Sequence, residues 1–577
     1  MYELEMAAAH APRWTLDAAG LGPTADTNDD DGAQAWFERG VQWMYAFNHE
    51  EAITCFKASA EAAPLAPEPR ILISYCHGVN YNNPSCEDAP TSFPSNAEAV
   101  RFAEEALALV NDTTSPKVAG LAKAMRTRCA LPGPTNESGR MTLNEAFARE
   151  MHALQEVVPA DADLKCLYAE SIMVLKPWDL YDKAGRPREA QGAFPGTAKL
   201  QALLTASVQE FPGHVGLLHM FIHCMEMSAN PADADGPAQD LVKAAAGSDL
   251  AHLLHMPAHI WIQTGQYAQV VEASRRACAA NRKIVHARGV ALFYSAYRYH
   301  DLHMQIYGAC MMASRAHAME AALELRTDAM SDATKAFMAD KGMCSALEAF
   351  SPMVLHVFIR FGDWEAILRE VPASDQSIYR VYNATLSYAR GIAFAALGKT
   401  VEAENERADF RAAAALVPSE WTLFNNTAKD ILAVADCMLD GEIEYRKGNY
   451  DQAFASLRQA VELDDGFVYD EPWPWMVPTR HALASLLLEQ GHAAEARTVF
   501  VEDLSKNKGN IWSLSGLELC AERAPDICPP LDSIQRKTLE RCRSEADTSV
   551  RAPCLCMLSE AKSSSMAATT KGCCSST

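Results

Sequence analysis

The stretch AQAWFERGVQWMYAFNHEEAITCFKASAEAAP, residues 33–64, decides the fold. Trp36, Gly40 and Trp43 recur at helical spacing in its first half, Ala52, Phe56 and Ser59 in its second, and Pro64 closes the unit. This spacing predicts two helices with a turn near Phe47-Asn48-His49. Two helices cross closely only where small residues let the backbones approach, and Gly40 and Ala52 are those residues, with large neighbours filling the gaps. Asn48 stands where it can cap the second helix, with Glu51 three positions on in a capping-box arrangement. A pair this short buries only part of its apolar face alone, so further pairs must stack on it.

Such pairs recur along the chain. Gly391, Phe394 and Ala403 mark one ahead of Phe410; Gly441, Ala453, Leu457 and Ala460 mark another; Ala484, Ala496 and Phe500 mark a third. Gly265-Gln266-Tyr267, Gly362-Asp363-Trp364 and Gly448-Asn449-Tyr450 read as turns between paired helices. The pattern is that of the tetratricopeptide repeat (TPR). The expected fold class is all-α: a TPR-like α-solenoid, a right-handed superhelix of antiparallel helix pairs over residues 33–540, with no sheet and one concave side. Residues 1–32, with the run Asn28-Asp29-Asp30-Asp31, read as a loose leader, and the Ser-, Thr- and Cys-rich residues 541–577 as a disordered tail. The Pro- and Gly-containing stretches 80–96, 131–140 and 177–196 read as loops or insertions.

At 577 residues the chain exceeds one compact core, which suits a solenoid. The formal charge of -23 repels phosphate backbones, so no nucleic-acid partner is expected, whereas a cation is easily accommodated. No transmembrane segment or signal pattern is read from the sequence. The 17 cysteines are scattered rather than paired at short spacing, which suits reduced thiols and a cytoplasmic protein.

One region carries chemistry. Nine of the 17 histidines fall between residues 214 and 303: His214, His219, His223, His252, His255, His259, His286, His300 and His303. His219, His223 and Glu226 are four and three apart, on one helical face; His252, His255 and His259 are three and four apart, again on one face. With Ala234 and Val270 in the small-residue slots of two successive repeats, His219 matches His255 and His223 matches His259. The preceding repeat, with Ala169 in its slot, places Glu170 in the same row. Matched positions on adjacent helices should bring His219, His223, Glu226, His255 and His259 into one concave pocket, with Glu170, His252 and His300 at its edge. Imidazoles converging from neighbouring helices are how helical proteins hold transition metals, so Zn, Cu, Fe or Ni are the candidate ions. Glu226 and Glu170 are the candidate catalytic bases for a water activated on such an ion. The plainer reading is a set of hydrogen-bonded core histidines, and no His-Glu-x-x-His signature is present.

Other motifs have ordinary alternatives. Pro177-Trp178-Asp179-Leu180-Tyr181 reads as a lid over the groove or a packed corner, and Trp473 and Trp475 as ligand contacts or inter-repeat packing. Cys573 and Cys574 near the C-terminus resemble a prenylation end, although serines follow them.

Several motifs together resemble a family of uncharacterised TPR proteins found mainly in microbes. They are Phe47-Asn48-His49-Glu50-Glu51-Ala52, Asn80-Tyr81-Asn82, Leu167-Tyr168-Ala169-Glu170 with Pro177-Trp178-Asp179-Leu180, His219-x-x-x-His223-x-x-Glu226, His255-Met256-Pro257-Ala258-His259-Ile260, Tyr299-His300-Asp301-x-His303, Trp475-x-x-Pro478-x-Arg480 and Trp512-Ser513-Leu514-x-Gly516-Leu517. The resemblance spans about residues 36–520; the family usually carries Asn where this chain has Asp301. It implies TPR architecture and no assigned reaction. Two functions follow from the residues: a metal-dependent enzyme acting on a small molecule, or a non-catalytic scaffold whose groove holds a protein or peptide partner. A membrane-tethered adaptor using the tail cysteines is a third.

Overall fold

The computed structural model describes residues 14–16, 32–83, 86, 88, 93–289, 294–341, 343–550 and 554. Most of the leader and the tail beyond residue 554 lie outside these residues, as do Cys573 and Cys574. The helix Ser533–Glu545 runs through the first residues assigned to the tail from sequence, 541–545.

The chain is all-α, built from antiparallel helix hairpins of the TPR kind. Ala33–Tyr45 and His49–Ala62 form the hairpin read from residues 33–64. A Cβ on Gly40 would lie 2.4 Å from the Phe56 ring, which is the close crossing that the glycine makes possible. Asn48 accepts from the Glu51 backbone N–H at 3.3 Å. The reciprocal half of the capping box is replaced: the Glu51 carboxylate instead accepts from Arg288 Nε and a second guanidinium nitrogen at 2.9 and 2.8 Å. The other sequence-read pairs form as well: Arg380–Ala396 with Thr400–Ala415, Ala428–Lys447 with Tyr450–Gly466, and Thr479–Glu489 with Ala493–Lys506. The turn at Gly265 needs its glycine twice over: φ is +76°, and a Cβ would meet the Lys508 carbonyl oxygen at 2.2 Å.

The chain divides into two compact units, residues 1–260 with 276–298, and residues 261–275 with 299–577. In the first, the helices Ala162–Met173, Val215–Met225 and Ala251–His255 stack beside the N-terminal hairpin around one core. In the second, the three hairpins above and the helices Ile511–Arg523 and Ser533–Glu545 enclose another. Against the expectation of no strand, Thr422–Leu423 and Asn426–Thr427 form a two-residue antiparallel hairpin. Among the described residues one window, Cys344–Phe361, is apolar enough for a membrane, but 72% of it is buried in the protein and it is broken by a 3-10 turn at Glu348–Phe350.

Candidate metal centre

Three helical segments of the first unit bring the histidines together. Val215–Met225 starts at a His214 cap, whose Nδ1 accepts from the Leu217 N–H at 3.2 Å while Nε2 lies 3.2 Å from Asp163. His214 is thereby committed to shaping the helix. One turn later His219 and His223 project from the same face, and Glu226 ends the helix. Ala251–His255 carries His252 and His255; Met256 breaks it, and Pro257–Thr264 resumes with His259. Proline at the first position of the resumed helix is tolerated because its missing N–H would have no partner there.

The five imidazoles form a closed circuit. Ring centroids lie 4.8 Å apart for His219–His223, 5.6 Å for His223–His259, 4.7 Å for His259–His255, 6.1 Å for His255–His252 and 4.9 Å for His252–His219. All five rings and Glu226 are at most 1% exposed. The ligand atoms of His219, His223 and His252 lie within 4.8 Å of one another, as do those of His223, Glu226 and His259.

Hydrogen bonds fix the tautomers. His219 Nδ1 is 2.7 Å from the Tyr45 carbonyl oxygen, which can only accept, so Nδ1 carries the proton and Nε2 keeps its lone pair. The Glu226 carboxylate does the same for two rings at once: Oε1 accepts from His223 Nδ1 at 3.0 Å and Oε2 from His259 Nδ1 at 2.7 Å. The buried Nε2 atoms of His219 and His223 have no hydrogen-bond partner among the described residues. His255 Nε2 faces His259 Nε2 at 2.7 Å, a spacing that a shared proton bridges. Burial first, and then His223, holds His219 well below the usual imidazole range; burial and then His259 do the same for His223. Both rings are therefore neutral donors at physiological pH.

Aromatic side chains wall the circuit. Phe47 packs on His219, His223 and His252 at 4.5, 6.1 and 5.6 Å. Tyr81 and Trp178 meet His223 at 5.1 and 5.7 Å, and Tyr297 meets His252 at 4.9 Å. Phe47 and Trp178 have φ of +53° and +56°, in the left-handed region that costs a bulky residue of order 1–3 kcal/mol. Both strained residues lie against the imidazoles.

The predicted residues are placed as follows. His219, His223, Glu226, His252, His255 and His259 come together, with His252 inside the circuit rather than at its edge. The setting is a sealed interior, not an open concave lining, because the Phe47 turn and the loops bearing Tyr81 and Trp178 cover it. Glu170 stands one residue away: it accepts from the Tyr75 hydroxyl and the Tyr81 backbone, and burial pushes its carboxyl up to about 8. His300 belongs to the second unit, where it packs edge-on against Phe424 at 5.2 Å. His303 is also there, with Nε2 2.9 Å from Met476 Sδ. Sequence reading missed the roles of Tyr81 and Tyr297. Tyr81 carried a signal in the Asn80-Tyr81-Asn82 motif; Tyr297 carried none.

Solved helical-repeat structures resemble the chain distantly. Human IFIT1 in a dimer with m7Gppp-AAAA is 10% identical, with 88% of this chain and 89% of that one aligned and a TM-score of 0.29. Yeast Tom70 is 13% identical over 88% and 99% of the two chains, with a TM-score of 0.28. Likenesses this remote carry no function across. No curated protein matches the chain. Residues 441–466, in the hairpin of Ala428–Lys447 and Tyr450–Gly466, match the tetratricopeptide repeat in sequence as well as in helix pairing.

Proposed function

We infer that this TPR-type protein holds a divalent transition metal ion (Zn, Cu, Fe or Ni) among His219, His223 and His252 and uses it as an enzyme on a small molecule. The observation that carries the reading is the pinned pair His219 and His223. Each ring has its proton fixed on Nδ1, and each Nε2 lone pair is buried without a hydrogen-bond partner. Buried polar atoms are nearly always satisfied, and two such lone pairs beside a third imidazole fit a cation. Three protein ligands leave a fourth position for water or substrate, the usual form of a catalytic zinc site.

The surrounding residues support chemistry at that position. The Phe47, Tyr81, Trp178 and Tyr297 rings exclude bulk water, which strengthens the ion's effect on a bound oxygen and restricts the reactant to a small molecule. Glu226 orients two imidazoles, one through each carboxylate oxygen. Glu170, protonated below about pH 8 and held by the backbone of Tyr81, whose ring packs on His223, is a second candidate acid–base group beside the site.

The test is metal analysis of protein purified without a metal-chelating tag, followed by titration of the metal-free protein with Zn(II), Cu(II), Ni(II) and Co(II). Stoichiometric binding is expected, abolished in His223→Ala with helicity retained. Absence of stoichiometric binding for every ion overturns the metal reading and leaves the scaffold for a protein or peptide partner.

A further inference from the structure

We propose that the histidine circuit is a two-metal site. One ion sits among His219, His223 and His252; a second is bound by His255 and His259 through Nε2. The proposal rests on the metal reading above and extends it.

Five imidazoles exceed what one tetrahedral ion takes, and their nitrogens do not converge on one point. Ligand nitrogens bound to one ion at 2.0–2.1 Å are at most ~4.2 Å apart. His219, His223 and His252 form one set: their ligand atoms lie within 4.8 Å of one another, close enough for small side-chain rotations to bring them onto one ion. His255 and His259 form another: their Nε2 atoms face each other at 2.7 Å, hydrogen-bond distance in the metal-free protein, and opening that contact to the ~3.3 Å bite of a tetrahedral ion would let both bind it. His259 carries its proton on Nδ1, so its Nε2 lone pair is aimed at His255.

Glu226 couples the two positions. One carboxylate accepts from His223, a ligand of the first ion, and from His259, a ligand of the second. Each hydrogen bond fixes the orientation of one ring and raises its basicity. The buried negative charge also offsets part of the repulsion between two nearby cations. The first ion, with three imidazole ligands, keeps one position open for a small ligand. A small oxygen ligand such as hydroxide can therefore lie between them, the arrangement two-metal sites use to polarise one reactant from both sides.

The experiment is stoichiometry with Zn(II), Co(II) and Cu(II) on metal-free full-length protein, read by mass analysis and by spectra. Two ions per chain are expected, with magnetic coupling broadening or silencing the Cu(II) resonance. His255→Gln should lower the count from two to one and restore the resonance of an isolated Cu(II). His219→Gln should also remove one ion, leaving a different remaining spectrum. A wild-type count of one, unchanged in His255→Gln, overturns the second position while leaving the single-metal reading intact. A count of zero overturns both. Because each glutamine variant is compared by its remaining ion, a variant that fails to fold is recognised by loss of both. The magnetic coupling in the wild type then decides alone, its absence at a count of two overturning the adjacency.

Discussion

Replacing Glu226 by Gln isolates the contribution of one buried carboxylate. The native group accepts from His223 Nδ1 at 3.0 Å and from His259 Nδ1 at 2.7 Å. Glutamine has nearly the same shape but only one acceptor oxygen; its NH2 must face the other Nδ1. Two donors cannot oppose each other, so that imidazole moves its proton to Nε2 and withdraws the lone pair from the metal position. Loss of a partner that orients metal-bound histidine typically costs 10–100-fold in affinity, which corresponds to ~1.4–2.7 kcal/mol. The metal-free variant should keep its fold, since a neutral isostere removes a buried charge rather than stranding one. The assay is competition with a chromophoric chelator, run beside circular dichroism and thermal melting. Affinity within twofold of wild type, with the fold unchanged, would refute the orienting role. A loss of more than about 10⁴-fold, beyond what such a partner contributes, would make Glu226 a direct ligand.

Three further outcomes follow from the packing and charge. Gly40→Ala pushes a methyl to 2.4 Å from the Phe56 ring, which has no exposed edge; overpacking outweighs the gain in helix propensity, for a net loss on the order of 1–2 kcal/mol in urea unfolding. A neutral or stabilising effect of Gly40→Ala would contradict the crossing geometry. Asn48→Ala removes the acceptor for the Glu51 N–H and should cost ~0.5–2 kcal/mol by the same measurement. Burial, with His356 adding to it, lowers His303 to about 3, and burial lowers His356 to about 4, both from 6.5. Their folded pKa values lie below the unfolded one, so the unfolded chain takes up more protons as pH falls below 6.5. Each should cost roughly 2 kcal/mol of stability by pH 5, and a flat stability curve from pH 7 to 5 would refute their neutral burial.

The helix pairing was legible because it is written in short-range spacing. Gly40, Ala52 and Phe56 lie within one hairpin, and repeat positions transfer from one unit to the next. The same arithmetic aligned His219 with His255 and His223 with His259, and both pairs take their places in one circuit. What it could not supply was the lid. Tyr297 reaches His252 from 45 residues downstream, and Tyr81 reaches His223 from a loop more than a hundred residues upstream. No periodicity links such positions. Glu170 was placed at the edge of the histidine row by repeat alignment, and there its carboxyl is held by the Tyr75 hydroxyl and the Tyr81 backbone. Repeat position fixes where a Cα sits, and the side chain then follows whichever buried partner is nearer.

The pairing of Glu51 with Arg288 has a consequence for biosynthesis. The partners are 237 positions apart in the chain, so a ribosome adding roughly 5–20 residues per second needs about 12–50 s to supply the second after the first. All five imidazoles are translated within that interval, whereas Tyr294, whose hydroxyl accepts from the His252 backbone, and Tyr297 arrive only at its end. The nascent chain therefore has a window in which the ligands exist but the wall over them is incomplete. An ion captured then enters from open solvent; one arriving later must wait for the wall to open. Ribosome-stalled chains long enough to expose residues up to 275 or up to 300, compared for rate of metal uptake, should differ with the shorter one faster, and equal rates would mean that the wall is no barrier.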